Sequence, residues 1–97
     1  MIQIKQTEGK IVVLGHAGYA APGKDIVCAA VSALLQTFLA SVEELTTDKI
    51  KSEIRDGRAI IRYKSLSEKA QALLSSFFIG CEMIAATYPN FVKLSKQ

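Results

Sequence analysis

Cysteine is scarce in this chain, and the two present, Cys28 and Cys81, form no CxxC pair. Two cysteines without a secretion-type start argue against a disulfide framework. With a single histidine they also fall short of the four ligands a structural zinc site takes from one chain. The opening MIQIKQTEGK lacks the basic-then-apolar layout of an export signal. Apolar stretches reach only about ten residues before Ser or Gln breaks them, too short to span a bilayer. Neither sign of charge dominates, the net value being +3. Lys49, Lys51, Arg55, Arg58, Arg62 and Lys64 alternate with acids, as solvated hairpin strands would, so no direct nucleic acid is required. No membrane partner is implied, and a cytoplasmic location is expected.

What is present suits a globular fold. Of the 97 residues, 49% are hydrophobic and 22% charged, which excludes disorder and leaves room for one domain spanning 1–97. Ile2 to Thr7 alternates apolar and polar as a half-buried strand does. Glu8-Gly9 turns the chain, and Lys10 to Leu14 returns as a second strand. A helix begins near Asp25, with Val27, Val31, Leu34, Phe38, Val42 and Leu45 spaced by threes and fours along one face. Ala30, Leu35 and Leu39 widen that face. Lys49–Ile54 alternates again, Asp56-Gly57 turns, and Ala59–Lys64 follows as a strand. Ser65 and Glu68 read as an S-x-x-E capping box opening a second helix, whose stripe is Ala70, Leu73, Leu74, Phe77, Phe78, Cys81 and Ile84. Tyr88-Pro89-Asn90 stops it before a short strand at Phe91–Leu94.

The expected fold class is α+β, a two-layer sandwich with a mainly antiparallel sheet, two helices and one ββα unit used twice. GKIVV at Gly9–Val13 and GRAII at Gly57–Ile61 mark the two copies. The second copy passes quickly from strand to helix, whereas the first inserts HAGYAAPGK. An insertion on a repeated scaffold is a natural place for a site.

Within that insertion, His16 ends a strand and Cys28 lies in the first turn of the following helix. Both ends of a strand–loop–helix unit sit at one edge of the fold, so the two side chains can meet. A free thiol with pKa about 8.5 is only ~3% thiolate at neutral pH, and the thiolate is the nucleophile. A helix N-terminus and a nearby imidazolium both favour the anion. The N–H groups of Ile26, Val27 and Cys28 could contribute to an oxyanion hole. Asp25 either caps the helix or orients the imidazole, and Ser32 lies one turn beyond Cys28 on the same face. A bland reading stands beside this one: a cysteine in IVCAAV as a small core residue, and a structural histidine. Cys81, inside an apolar stripe, fits the core reading.

The run GHAGYAAPGKDIVCAAVSALL resembles the signature of the Prp family of ribosomal-processing cysteine proteases. GCEMIAATYPNF resembles the close of the same family, so the likeness covers the chain. The resemblance implies that Cys28 is the nucleophile and His16 the general base, with Asp25 and Ser32 in supporting positions. It implies an endopeptidase that trims a short N-terminal extension from the twenty-seventh large-subunit ribosomal protein, cutting after paired aromatics. It further implies a homodimer, with no metal and no cofactor. Two departures stand out: Cys81 replaces a commonly aliphatic residue, and Pro22 stiffens the loop. Ala17, Gly18, Tyr19, Ala20, Ala21, Pro22 and Gly23 form the expected substrate-binding loop, a lid flanked by glycines. The competing readings are a non-catalytic adaptor for a ribosomal protein or assembly partner, and a redox-sensing thiol protein.

Overall fold

The computed structural model describes residues 1–96. The alternating segments become strands because one side of each has a helix layer to bury against. β1 (Ile2–Thr7) and β2 (Lys10–Leu14) pair antiparallel, as do β3 (Lys51–Arg55) and β4 (Arg58–Arg62). β4 lies antiparallel against β2, and β5 (Val92–Lys96) lies parallel to β1. The sheet order is therefore β3-β4-β2-β1-β5, with one parallel pair in an otherwise antiparallel sheet.

Two 20-residue helices, α1 (Ile26–Leu45) and α2 (Glu68–Thr87), form the second layer. Both are long and apolar enough to match a bilayer by length and composition. The run lengths in the sequence do not show this, because Ser, Thr and Gln interrupt helices that are apolar on average. Val27, Val31, Leu35, Phe38 and Val42 of α1 and Leu74, Phe77, Phe78 and Cys81 of α2 are buried within the fold, while Ile26, Leu45, Ile79 and Met83 are exposed. Ile4, Ile11 and Ile61 of the sheet are wholly buried with Val27 of α1 and Cys81 of α2. Phe38 and Phe77 join the helices across 5.7 Å between ring centroids. This is the α+β two-layer architecture expected from the patterning.

Several details differ from expectation. On α1 the fully buried position in the middle is Leu35, while Leu34 is half-buried and Leu45 is exposed. The helix meets only one layer there, so its widened apolar face is not covered all round. The capping box at Ser65 does not form. Ser67 is the N-cap of α2, its Oγ accepting from Ala70 N–H at 3.2 Å. Ser67 N–H donates to Asp48 Oδ2 at 2.8 Å, so a carboxylate before β3 does the work expected of Glu68. That bond is the main reason the Asp48 carboxyl is held below its ordinary range. β3 starts at Lys51, two residues later than the alternation suggests, and β5 ends at Lys96.

Candidate active site

Asp25 organises the region. Its Oδ1 accepts from the N–H groups of Val27 and Cys28, both at 3.0 Å, which caps α1. Its Oδ2 accepts from Tyr19 N–H at 3.0 Å and Ala20 N–H at 3.3 Å, which pins the loop to the helix. These amides, Cys28 N–H foremost, lower the Asp25 pKa against a partial desolvation that would raise it. Both carboxylate oxygens are thus engaged by backbone, and Asp25 makes no ion pair with His16 among the described residues. The cap also takes up two of the three amides expected for an oxyanion hole. Only Ile26 N–H is left without a partner among the described residues.

Capping by Asp25 puts Cys28 at the third helical position, half-buried, with its sulfur turned toward the loop. Ala17 N–H donates to Cys28 Sγ at 3.2 Å. Ala17 is itself buried, so this donor is held in place by packing. The preceding residue, His16, is fixed from two sides. Met1 nitrogen donates to its carbonyl at 2.7 Å, and Gly15 N–H donates to Gly57 carbonyl at 2.8 Å. Gly15 has φ +92, and a Cβ there would run into the Met1 carbonyl, so only glycine fits.

His16 leans on the β3–β4 turn. Its Nε2 lies 3.7 Å from Asp56 Oδ1, with the histidine side chain 64% and the aspartate 98% exposed. A Cβ on Gly57 would stand 3.0 Å from the same nitrogen. Asp56 and Gly57 read in the sequence only as a turn. They reach His16 because β4 pairs with β2, Leu14 facing Arg58, which carries the turn alongside the end of β2.

His16, Cys28 and Ser32 line one open cleft of about 280 Å³, together with Leu35, Gln36, Ile54, Asp56 and Gly57. The cleft runs between α1 and the β3–β4 hairpin. No hydrogen bond joins His16 to Cys28 among the described residues, although both line the cleft. The loop expected to bind substrate does not line this cleft: residues 17–23 are absent from its walls. Tyr19 is packed edge-on against Tyr88 at 5.4 Å and Phe91 at 5.3 Å, on the side of α2 and β5. Tyr19 stays 43% exposed, so these edge-to-face contacts, rather than burial, hold its ring on that side. Cys81, by contrast, is fully buried, and desolvation, with Glu82 adding to it, pushes its thiol up to about 12. No group of three or more metal-binding side chains occurs among the described residues.

Residues 1–93 match the family described as cysteine protease Prp. The chain belongs to that family. A curated relative, the ribosomal processing cysteine protease Prp of Mycoplasma genitalium, is 29% identical over 101 residues, covering all of this chain and 97% of the relative. The crystal structure of an essential ribosomal processing protease Prp from S. aureus, with a covalently linked product peptide, is similar at TM-score 0.95 and 25% identity, covering both chains fully. A Streptococcus mutans protein is similar at TM-score 0.82 and 30% identity, covering all of this chain and 94% of that one. As a Prp-family member the chain is a cysteine protease with the family's α+β fold.

Proposed function

We propose that this protein is a ribosomal-processing endopeptidase in which Cys28 is the nucleophile and His16 its base. One observation carries the reading: the sole histidine and a cysteine in a helix's first turn line the same cleft, with a buried amide aimed at the sulfur. Cys81 cannot compete for the role, because it is buried and holds its proton.

His16 takes the Cys28 proton, and the sulfur attacks the scissile carbonyl carbon. The Ala17 N–H that donates to Sγ stabilises the thiolate. As the C–S bond forms, the carbonyl becomes an oxyanion near that donor and Ile26 N–H. His16 then protonates the leaving amine, and water, deprotonated by His16, hydrolyses the thioester. Asp56 lies 3.7 Å from Nε2 of His16, and in this proposal it orients the ring so that Nδ1 meets the thiol. Ser32 supports the cleft wall. No metal or cofactor enters any step.

The substrate we assign is the precursor of the twenty-seventh large-subunit ribosomal protein, cut behind its N-terminal extension. The relatives support this: one is a ribosomal processing protease, and another is described with a covalently linked product peptide. The loop at Gly18–Gly23 stands off the cleft in this structure, and its role in the proposal is to fold over bound substrate as a lid. Both glycines have positive φ and open space around them, so the loop tip can move while Asp25 and Tyr19 hold its base. A homodimer in the cytoplasm completes the proposal.

The test is incubation with the extended precursor followed by mass analysis. Wild type should release the extension. Cys28→Ala should bind uncut precursor and compete with wild type, because alanine keeps the helix and leaves the cleft open. His16→Ala should fall nearly as far, and the double variant no further, since a nucleophile and its base act as one unit. Normal cleavage by Cys28→Ala would leave an adaptor as the better reading.

A further inference from the structure

The sheet has one face packed on the helices and one open to solvent, and their charges are segregated. The strand registers put Lys51, Arg62 and Lys10 side by side across β3, β4 and β2 on the open face. A second row on that face joins Arg55, Arg58, Leu14, Gln3 and Lys93. Lys5 stands between the two rows, opposite Val12. The face therefore carries seven of the twelve basic side chains and one of the nine acids, Glu53. Its charge is +6 where the whole chain carries +3, so the remainder of the molecule is at −3. Of the acids interleaved with these cations in the sequence, Asp48 and Asp56 lie in loops outside the strands, and only Glu53 stays on the face.

Packing alone disfavours this arrangement. Like charges directly opposite on neighbouring strands are destabilising. Lys10, Arg62 and Lys51 nevertheless stand in one row, and none has an ion pair among the described residues. They also line a cleft of about 750 Å³ that gains Lys49 and Lys64, with Glu8 its single acid. The face is not an apolar docking surface. Ile60 at its centre is only 6% exposed, flanked by Arg and Lys neighbours whose long stems can cover it.

We infer that this face binds the phosphate backbone of RNA. Strands about 4.8 Å apart set three cations across roughly 10 Å, a spacing that serves successive phosphates. The face proper holds no aromatic residue, so recognition is by charge and is indifferent to base sequence. A second copy cannot pair through it symmetrically, because +6 would meet +6. The cluster of Lys10, Lys51 and Arg62 lines a cleft separate from that of His16 and Cys28, so proteolysis itself does not need it. Its use is to hold the protease on an RNA-rich assembly where a precursor would be found.

The experiment measures fluorescence anisotropy of a labelled, unstructured 20-nucleotide RNA against the full chain, from 50 to 200 mM NaCl. Wild type should bind at 50 mM and weaken linearly on logarithmic axes, by about 0.7 in slope per phosphate contacted. The triple variant Lys10→Gln, Lys51→Gln, Arg62→Gln should reduce the slope by about 2 while cleaving precursor at the wild-type rate. Relief of the like-charge row should leave its thermal midpoint equal or higher. If the triple variant does not fold, Lys5→Gln with Lys93→Gln should reduce the slope by about 1.4. Absence of binding at 50 mM, or unchanged slopes in folded variants, would overturn the inference. Poly-glutamate competing equally at matched charge would overturn it too, making the face a site for acidic peptides.

Discussion

Cys28 and Cys81 place the same side chain in opposite surroundings. Cys28 is half-buried at a helix start with an amide donor on its sulfur, whereas Cys81 is enclosed by the core. An alkylating reagent at pH 8 should modify Cys28 in the folded protein many times faster than Cys81, followed by mass analysis of peptides; equal rates would undo the assignment of the nucleophile. The Cys81 thiol also links stability to alkali. Its folded pKa of about 12 lies above the ordinary 9.0, so its contribution is intact below pH 9. Between pH 9 and 12 the unfolded chain loses the proton first, and stability falls. Urea unfolding of wild type and Cys81→Val should therefore diverge above pH 9, with the valine variant losing less. Asp56 is the residue least visible in advance. That His16 and Cys28 would line one cleft was legible from their places at a strand end and a helix start. Asp56 looks like any turn aspartate until β4 is known to pair with β2. Asp56→Asn should lower kcat several-fold with KM little changed, and high salt should narrow the gap, because the pair is exposed. A wild-type kcat would reduce Asp56 to a turn residue.

Elements were legible where local patterning decides them. The alternation at Ile2–Thr7 and the Asp25 cap with its three-and-four spacing gave β1 and α1 almost residue for residue. Ser65 misled because a capping box is a local signal, and the winning partner, Asp48, lies 19 residues before Ser67. The parallel β1–β5 pair was equally out of reach, since it depends on α2 returning the chain to the far edge of the sheet. The Asp25 carboxylate joins two elements, the loop and α1, with one oxygen for each. Asp25→Asn keeps one carbonyl oxygen for Val27 and Cys28 N–H but puts an NH₂ group where Tyr19 and Ala20 donate. Hydrogen exchange should accelerate at the Tyr19 and Ala20 amides while α1 stays protected; equal protection would mean Tyr19 stacking alone holds the loop. Acid should mimic this variant. The lowered Asp25 pKa adds stability above its ordinary 3.8, which is lost as pH falls through the folded value.

At the scale of the whole molecule, the outer faces of the two layers are chemically opposite. The open sheet face repels its own copy, but the helix layer presents an apolar groove of about 450 Å³ between α1 and α2, lined by Leu34, Phe38, Leu73, Met83 and Ile84. Met83 is 67% exposed and Ile79 58%, a poor arrangement for an isolated surface. Gly80 lets Leu34 pack onto the α2 backbone in this groove, since a Cβ there would stand 2.9 Å from the Leu34 methyl groups. A two-fold dimer buries the same patch on both copies. If the proposed homodimer uses this groove, each Met83 enters apolar surface of its partner, and the two basic sheet faces point outward. The active-site clefts, at the α1–β3/β4 edge, then stay open. Met83→Glu places two carboxylates in that contact without touching the buried core, so the fold should persist. Sedimentation should show wild type dimeric at micromolar concentration and Met83→Glu shifted to monomer by tenfold or more in Kd. Cleavage by the monomeric variant at the wild-type rate would show that one chain holds a complete site. A Met83→Glu protein that remains as dimeric as wild type would move the interface off the helix layer altogether.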